Sequence, residues 1–105
     1  MKVITISGSM RFEKDMMEIA RKLESENGYC VIQTLYGKLK HTETIDQMQN
    51  IARAHLKKID LCDVLYVVNI HGYIGENTSN EIKYAQKLGK EIVYHEPPTI
   101  DKKVK

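Results

Sequence analysis

Several features that would assign this chain to a specialised class of protein are missing from its sequence. Among its 105 residues there are two cysteines, Cys30 and Cys62, which do not form a closely spaced pair. No apolar run resembles a signal peptide or is long enough to span a membrane. The net charge of +2 is too close to zero to favour nucleic acid or a membrane surface as a partner. We therefore expect a cytoplasmic protein with reduced thiols and with neither a nucleic-acid nor a membrane partner.

Clustered metal ligands are missing as well. The histidines and cysteines are scattered, without a recognised ligand spacing. They are His41, His55, His71, His95, Cys30 and Cys62. There are also no internal repeats, low-complexity tracts or internal linkers. Because the chain is 42% apolar and 29% charged, its composition is that of an ordinary globular domain. The sequence thus predicts one domain with no metal site and no cofactor.

One stretch, from Val64 to Gly89, shows how the chain is organised. Residues 64–70 form a short, nearly continuous apolar run with β-branched and aromatic members, which is typical of a strand buried on both faces of a parallel sheet. A polar loop containing Gly72 and Gly75 follows, and a helix is predicted to open at Thr78. This arrangement places the loop at the carboxyl edge of a sheet, where open α/β folds bind their ligands.

The rest of the chain alternates in the same way. Apolar runs predict strands over 2–6, 29–35 and 91–94, and apolar residues at helical spacing predict helices over about 12–27 and 44–61, the second capped by Thr44 or Asp46. The order βαβαβαβ indicates a small doubly wound, Rossmann-like or flavodoxin-like sheet of four parallel strands, ordered 2-1-3-4, with helices on both faces. We expect the domain to cover residues 1–96, followed by a basic C-terminal tail, 97–105, that frays.

With this strand order, the turn from Ser7 to Arg11 and the loop from His71 to Asn77 line the same crevice. Backbone amides at Gly8, the hydroxyl of Ser9 and the guanidinium of Arg11 would suit a phosphate. The same residues could equally form a tight turn with an exposed arginine.

Glu81 also has two interpretations. It could complete a capping box with Thr78, three residues earlier. Alternatively, it is an ionised carboxylate near the positive end of a helix dipole, directed into the crevice as a nucleophile. His55 and His71 are candidates for acid–base chemistry or ordinary surface histidines, and Tyr73 either stacks on a ligand ring or covers the loop.

Three blocks of residues together resemble the nucleoside 2-deoxyribosyltransferase superfamily, which includes the deoxynucleoside 5′-monophosphate N-glycosidases. The first resembles a turn that contacts the substrate phosphate in the N-glycosidases, the second an acidic residue and strand before the catalytic loop, and the third the helix bearing a nucleophilic glutamate. They are Gly8–Arg11, Asp63–Val68, and Glu81–Ala85 with Leu88–Lys90. The resemblance covers most of the chain, from Val3 to about Glu96.

The resemblance implies a role for each candidate residue. Glu81 would attack C1′ of the deoxyribose, the base would depart, and the glycosyl-enzyme intermediate would pass to water or to another base. His55 stands where the family's enzymes have a catalytic aspartate, and it would donate a proton to the departing base. The 5′ end would be held by Gly8, Ser9 and Arg11, with further donors from Asn77, Thr78 and Ser79.

Two classes of function follow from these residues. The first is an N-glycosidase or deoxyribosyltransferase acting on deoxynucleosides or their 5′-monophosphates. The second is a non-catalytic module that binds a nucleotide in the same crevice, and a structural protein with an empty crevice is a third option. Because family members complete their pocket with a neighbouring subunit, the resemblance also implies a homo-oligomer, assembled through the helix that carries Ile45, Met48 and Ala52.

Overall fold

Four β-strands and three α-helices alternate along the chain in a computed structural model, which describes residues 1–37 and 42–98. The strands are β1 (Val3–Gly8), β2 (Cys30–Ile32), β3 (Val64–Val68) and β4 (Glu91–Tyr94). The helices are α1 (Glu13–Ser25), α2 (Ile45–Asp60) and α3 (Glu76–Lys87). Short 3-10 turns, Met10–Phe12 and Ile70–Gly72, precede α1 and follow β3. His41 and positions 99–105 of the predicted tail lie outside the described residues.

The strands form one parallel sheet in the order β2-β1-β3-β4, which confirms the predicted topology. The two central strands, β1 and β3, pair from Ile4 opposite Val64 to Gly8 opposite Val68. β4 lies at one side of the sheet, as the predicted order 2-1-3-4 requires. The ends of β1 and β3 therefore meet in the middle of the carboxyl edge, the edge of the sheet at which all four strands end.

β3 is buried on both faces and joins the two halves of the core. Because successive residues of a strand point to opposite faces, Val64 and Val68 pack on the α1 side, whereas Leu65 and Val67 pack on the α2 and α3 side. The helices cover both faces of the sheet, as predicted. Their most buried contributions are Met16 and Ala20 of α1, Ile59 of α2, and Ile82 and Ala85 of α3. Within residues 1–37 and 42–98, no helix combines the length and apolar character needed to cross a membrane.

β2 is shorter than the predicted strand over 29–35, because the chain leaves the sheet after Ile32. The next residues turn towards α2. Lys58 Nζ donates to the carbonyl oxygen of Gln33 at 3.1 Å, and Thr34 Oγ1 lies 3.4 Å from His55 Nδ1. These contacts hold residues 33–34 beside α2 and so help to form one wall of the crevice.

α2 begins at a capping box and touches the core at its far end. Thr44 is the cap: its Oγ1 accepts from the Gln47 amide at 3.0 Å, and Gln47 Oε1 accepts from the Thr44 amide at 2.8 Å. Of the residues predicted to form its apolar face, Ile59 is buried. Ile45, by contrast, is 69% exposed, and Met48, Ala52 and Leu56 are exposed too. The helix thus presents an uncovered apolar face over most of its length.

α3 begins at Glu76, two residues before the predicted start, which makes the predicted capping box at Thr78 and Glu81 wrong. The carbonyl oxygen of Gly75 accepts from the Ser79 amide at 2.9 Å, so the first helical turn closes on Gly75. Thr78 is buried inside the helix, and Glu81 is its sixth residue, beyond the first turn where the helix dipole acts most strongly. Glu81 is therefore free of any capping role.

Candidate active site

A cavity of about 1010 Å³ opens at the carboxyl edge of the sheet. Its walls are the turn after β1, residues 34–37 after β2, the inner side of α2, and the start of α3. Among the residues predicted from the sequence, those that line it are Gly8, Ser9, His55, Tyr73, Asn77, Thr78 and Glu81. Residues from four separate segments of the chain therefore meet in one space large enough for a nucleotide.

The carboxylate of Glu81 contacts two other polar side chains in this cavity. Its Oε1 accepts a hydrogen bond from Ser7 Oγ at 2.5 Å, and its Oε2 lies 4.0 Å from His55 Nδ1. Both the Glu81 and His55 side chains are about three-quarters buried, with 23% and 24% of their surface exposed. The two oxygens of one carboxylate are thus differentiated, one held by Ser7 and the other facing an imidazole.

Helical spacing explains why these two side chains face each other. His55 lies four residues before Ile59, the residue that anchors α2 in the core, so both project from the same side of the helix. Glu81 lies four residues before Ala85, which anchors α3 in the same core cluster. Because α2 and α3 pack on one face of the sheet, anchoring their last turns brings His55 and Glu81 together above the end of β1.

The turn after β1 is tight, and its glycine has a packing role. A Cβ atom on Gly8 would lie 3.1 Å from Met16 Sδ and 3.1 Å from the carbonyl oxygen of Val68, closer than most Cβ contacts in proteins, so a larger residue would require these neighbours to shift. Ser9 caps the following 3-10 turn, because its Oγ accepts from the Arg11 amide at 3.3 Å. The turn therefore presents Gly8 and Ser9 to the cavity in a fixed conformation.

Arg11 and Tyr73 form a pair at the rim of the cavity. The guanidinium carbon of Arg11 lies 3.6 Å from the centre of the Tyr73 ring, a cation–π contact. The edge of the same ring meets Phe12, with centroids 6.1 Å apart and planes at 76°. Tyr73 thus covers part of the core and also lines the cavity, whereas Arg11 is exposed and lies just outside the lining.

Two other predicted candidates lie away from the cavity. Ser79, on α3, falls outside the lining, although its neighbours Thr78 and Asn80 belong to it. His71 is exposed in the 3-10 turn after β3, with a φ of 57°, and its amide donates to Glu96 Oε1 at 3.0 Å. In the described parts of the chain, no three histidine, cysteine, aspartate or glutamate side chains approach closely enough to hold a metal ion.

Sequence reasoning missed several residues of the cavity, and Ser7 is the most important. A signal was present, because Thr5 and Ser7 alternate with Ile4 and Ile6 in a strand that is buried on both faces. Buried hydroxyls need hydrogen-bond partners, so this alternation indicates a partner from another element. Thr5 Oγ1 donates to the carbonyl oxygen of Lys58 at 2.6 Å, and Ser7 donates to Glu81.

Tyr36 and Glu43 were also missed, because both fall in a segment predicted only as a loop. Burial, and to a lesser extent the negative charge of Glu13, raise the pKa of the Tyr36 phenol above 10.0. The phenol therefore remains a neutral donor, and it donates to Gln33 Oε1 at 2.6 Å. Glu43 Oε2 is buried at the cavity wall and accepts no hydrogen bond from the described residues, so a donor on a ligand would satisfy it.

Comparison with known proteins gives a match at the level of the fold. No family model matches this sequence, and no curated protein matches it. Among solved structures, the 2-desoxiribosyltransferase from Leishmania mexicana superposes with a TM-score of 0.66 at 20% sequence identity, over 90% of this chain and 63% of that one. The present chain thus spans less than two thirds of that protein.

A second solved structure gives the same result. The Clostridium botulinum CMP N-glycosidase superposes with a TM-score of 0.56 at 19% identity, over 89% of this chain and 70% of that one. These two neighbours share the parallel α/β architecture described above. The chain therefore has the fold of the nucleoside 2-deoxyribosyltransferase superfamily, as its residues at the β1 turn, β3 and α3 implied.

Proposed function

We propose that this protein cleaves the N-glycosidic bond of deoxynucleosides or their 5′-monophosphates, as an N-glycosidase or a deoxyribosyltransferase. The observation that carries the proposal is the Glu81 carboxylate, which Ser7 holds at the carboxyl edge of the sheet and which faces His55 across the cavity. The names of the two structural neighbours support the same chemistry. Glu81 does not cap α3, and within residues 1–37 and 42–98 no lysine or arginine forms an ion pair with it, which supports a role as a nucleophile.

The reaction would follow the logic of a retaining glycosidase. Glu81 Oε2 attacks C1′ of the deoxyribose, and the bond from C1′ to the base nitrogen breaks with its electron pair moving to the base. A protonated His55 gives the departing base its proton and so becomes neutral. In the second step the neutral imidazole takes a proton from water, or from an incoming base, as that molecule attacks C1′ and releases Glu81.

The 5′ end of the substrate would lie against the turn after β1. Gly8 and Ser9 face the cavity, and Arg11 stands at its rim, where its guanidinium could contact a phosphate while its stem stays against Tyr73. Asn77 and Thr78 supply further donors from the start of α3. Arg11 would then favour monophosphates over nucleosides without contributing to the chemical step.

A second candidate is a non-catalytic module that binds a nucleotide in the same cavity. The observation that favours it is the histidine at position 55, where the family's enzymes have an aspartate, because imidazole cannot act as an anionic partner. The capping interpretation of Glu81 no longer supports this candidate, since α3 begins at Glu76.

The uncovered face of α2 supports the proposal that the protein works as a homo-oligomer. Ile45, Met48 and Leu56 are exposed on this helix, and the last two also line the cavity. A second copy packed there would bury apolar surface and cover the open side of the site at once. Light scattering at micromolar concentration is expected to give a dimer or a larger assembly, and Met48→Glu is expected to shift it towards monomer. A monomeric parent protein would contradict this proposal.

The direct test of function is a panel of substrates. Purified protein is incubated separately with the common deoxynucleosides and their 5′-monophosphates, with and without a second free base as acceptor, and free base and new nucleosides are measured by chromatography. Release of base supports the enzyme, and exchange of bases identifies a transferase. A calorimetric titration that shows binding of a nucleotide without release of base would favour the binding module.

A further inference from the structure

We infer that Ser7 is a positioning residue that selects which oxygen of Glu81 attacks the sugar; this inference rests on the proposed function. Ser7 is the penultimate residue of β1 and is 2% exposed. Its Oγ donates to Glu81 Oε1 at 2.5 Å, across a separation of 74 residues in the sequence. This distance is typical of a charge-assisted hydrogen bond to a carboxylate, which is stronger than a bond between neutral groups.

Thr5 shows that a buried hydroxyl in this strand can be satisfied without a side-chain partner. Thr5 is 4% exposed, and its Oγ1 donates to a backbone carbonyl, that of Lys58 at 2.6 Å. Ser7 instead reaches a carboxylate that lines the cavity and that retains 23% of its side-chain surface for solvent. Because Glu81 could be solvated from the cavity, its hydrogen bond with Ser7 fixes a geometry rather than merely satisfying a buried acid.

The consequence for the reaction is an assignment of the two oxygens. With Oε1 held by Ser7, Oε2 is the oxygen that faces His55 and the cavity, and it forms the bond to C1′. In the resulting ester, Oε1 is the carbonyl oxygen and continues to accept from Ser7. The Ser7 proton stays on its own oxygen throughout, and the electron pair of the C1′–Oε2 bond returns to the carboxylate when water or a base attacks. A preorganised donor of this kind lowers barriers without reorganising during the reaction.

The test compares Ser7→Ala and Ser7→Cys with Thr5→Val as a matched control. Each removes or weakens one buried hydroxyl donor of β1, but Thr5 does not line the cavity. We expect kcat to fall by roughly 10- to 100-fold in Ser7→Ala with KM changed by less than about threefold. Ser7→Cys, which keeps a weak donor of similar size, is expected to lie between, and Thr5→Val to lower the melting temperature while keeping kcat.

Crystal structures of the parent and of Ser7→Ala give a readout that does not depend on turnover. We expect a single Glu81 rotamer in the parent, and a shifted carboxylate or several rotamers in the variant. If the parent releases no base from any substrate, the proposed function fails, and the Glu81 rotamer alone decides the positioning role. If the parent is active and Ser7→Ala keeps both its kcat and its Glu81 rotamer, the inference is wrong while the proposed function stands. An equal loss of kcat in Thr5→Val would also overturn it.

Discussion

β1 donates a hydrogen bond to a carboxylate at each of its two ends, and these two carboxylates differ in what surrounds them. The amino edge is the edge of the sheet at which all four strands begin, opposite the carboxyl edge. At the amino edge, Asp63 Oδ2 accepts from the backbone amide of Val3 at 2.8 Å. At the carboxyl edge, Glu81 Oε1 accepts from the Ser7 hydroxyl at 2.5 Å. Asp63 immediately precedes β3 and lies outside the cavity, whereas Glu81 lines the cavity with His55 opposite. The two acids therefore share a hydrogen bond with β1 and differ in the space beside them, because only Glu81 lines the cavity.

The neighbours of the two acids show the same contrast. Near the amino edge, Tyr84 donates to Asp60 Oδ1 at 2.6 Å, Lys90 Nζ donates to the Asp60 carbonyl oxygen at 3.0 Å, and Lys2 pairs with Glu91 at 3.5 Å. These polar groups satisfy one another. Glu81 and His55, by contrast, contact each other and also line a cavity, and polar groups that converge in a cavity are typical of a binding site.

The largest expected difference is between variants that remove the negative charge of either acid, and we expect it in turnover. We expect Glu81→Gln to reduce base release by at least about 1,000-fold, because the amide is not a nucleophile. The fold should persist, since the amide oxygen still accepts from Ser7. The matched variant Asp63→Asn is expected to keep turnover and to lose about 0.5–1.5 kcal/mol of unfolding free energy, measured by urea denaturation. Near-parental turnover of Glu81→Gln would show that the two acids are equivalent.

Two histidines at the carboxyl edge differ in the same way. His55 faces Glu81 in the cavity, whereas His71 follows β3 at the same edge but lies outside the lining. Loss of a general acid typically costs about 100- to 10,000-fold in rate, so we expect His55→Ala to reduce turnover on that scale. His71→Ala should leave turnover unchanged. Base release by both variants, measured under saturating substrate, checks this, and equal rates would remove His55 from the mechanism.

The rim of the cavity should affect binding more than chemistry. We expect Arg11→Ala to weaken the binding of deoxynucleoside monophosphates by about 1.5–3 kcal/mol, because a charge-assisted contact is lost. The affinity for the corresponding nucleosides, which carry no phosphate, should change little. Isothermal titration calorimetry measures both, with Arg21→Ala, an exposed arginine of α1, as the control for net charge. Unchanged binding of monophosphates would mean that Arg11 only packs on Tyr73.

The smallest expected effect concerns the amino edge at high pH. The hydrogen bond to Asp60, followed by burial and by the charge of Asp60, raises the pKa of Tyr84 above 10.0. The folded protein therefore holds this proton more tightly than the unfolded chain. Its contribution to stability is complete below pH 10 and is lost as the pH rises through the folded pKa. We expect the unfolding free energy to fall less steeply above pH 10 in Tyr84→Phe than in the parent, by urea denaturation across that range. Identical slopes would show that this hydrogen bond does not affect stability.

Local patterns predicted the elements well where one pattern dominated. The apolar run after Asp63 identified the doubly buried strand β3, and alternation of strands and helices gave the parallel order of the sheet. Local patterns failed at α3, where a sequence compatible with a capping box lies inside a helix that begins at Glu76, directly after its N-cap Gly75. They gave the apolar face of α2 but not its exposure, because helical periodicity identifies such a face without showing whether anything covers it.

The sequence by itself determined the order of the strands and helices and the burial of β3 on both faces. It also determined that the turn after β1 and the loop after β3 lie at the same edge of the sheet. These depend on residues a few positions apart, whose spacing sets a period of 2 or 3.6. Only the tertiary structure decided that Ser7 holds one oxygen of Glu81, that His55 faces the other, and that Arg11 rests on Tyr73. Such contacts join residues tens of positions apart, and they follow from how Ile59 and Ala85 anchor two helices on one face of the sheet.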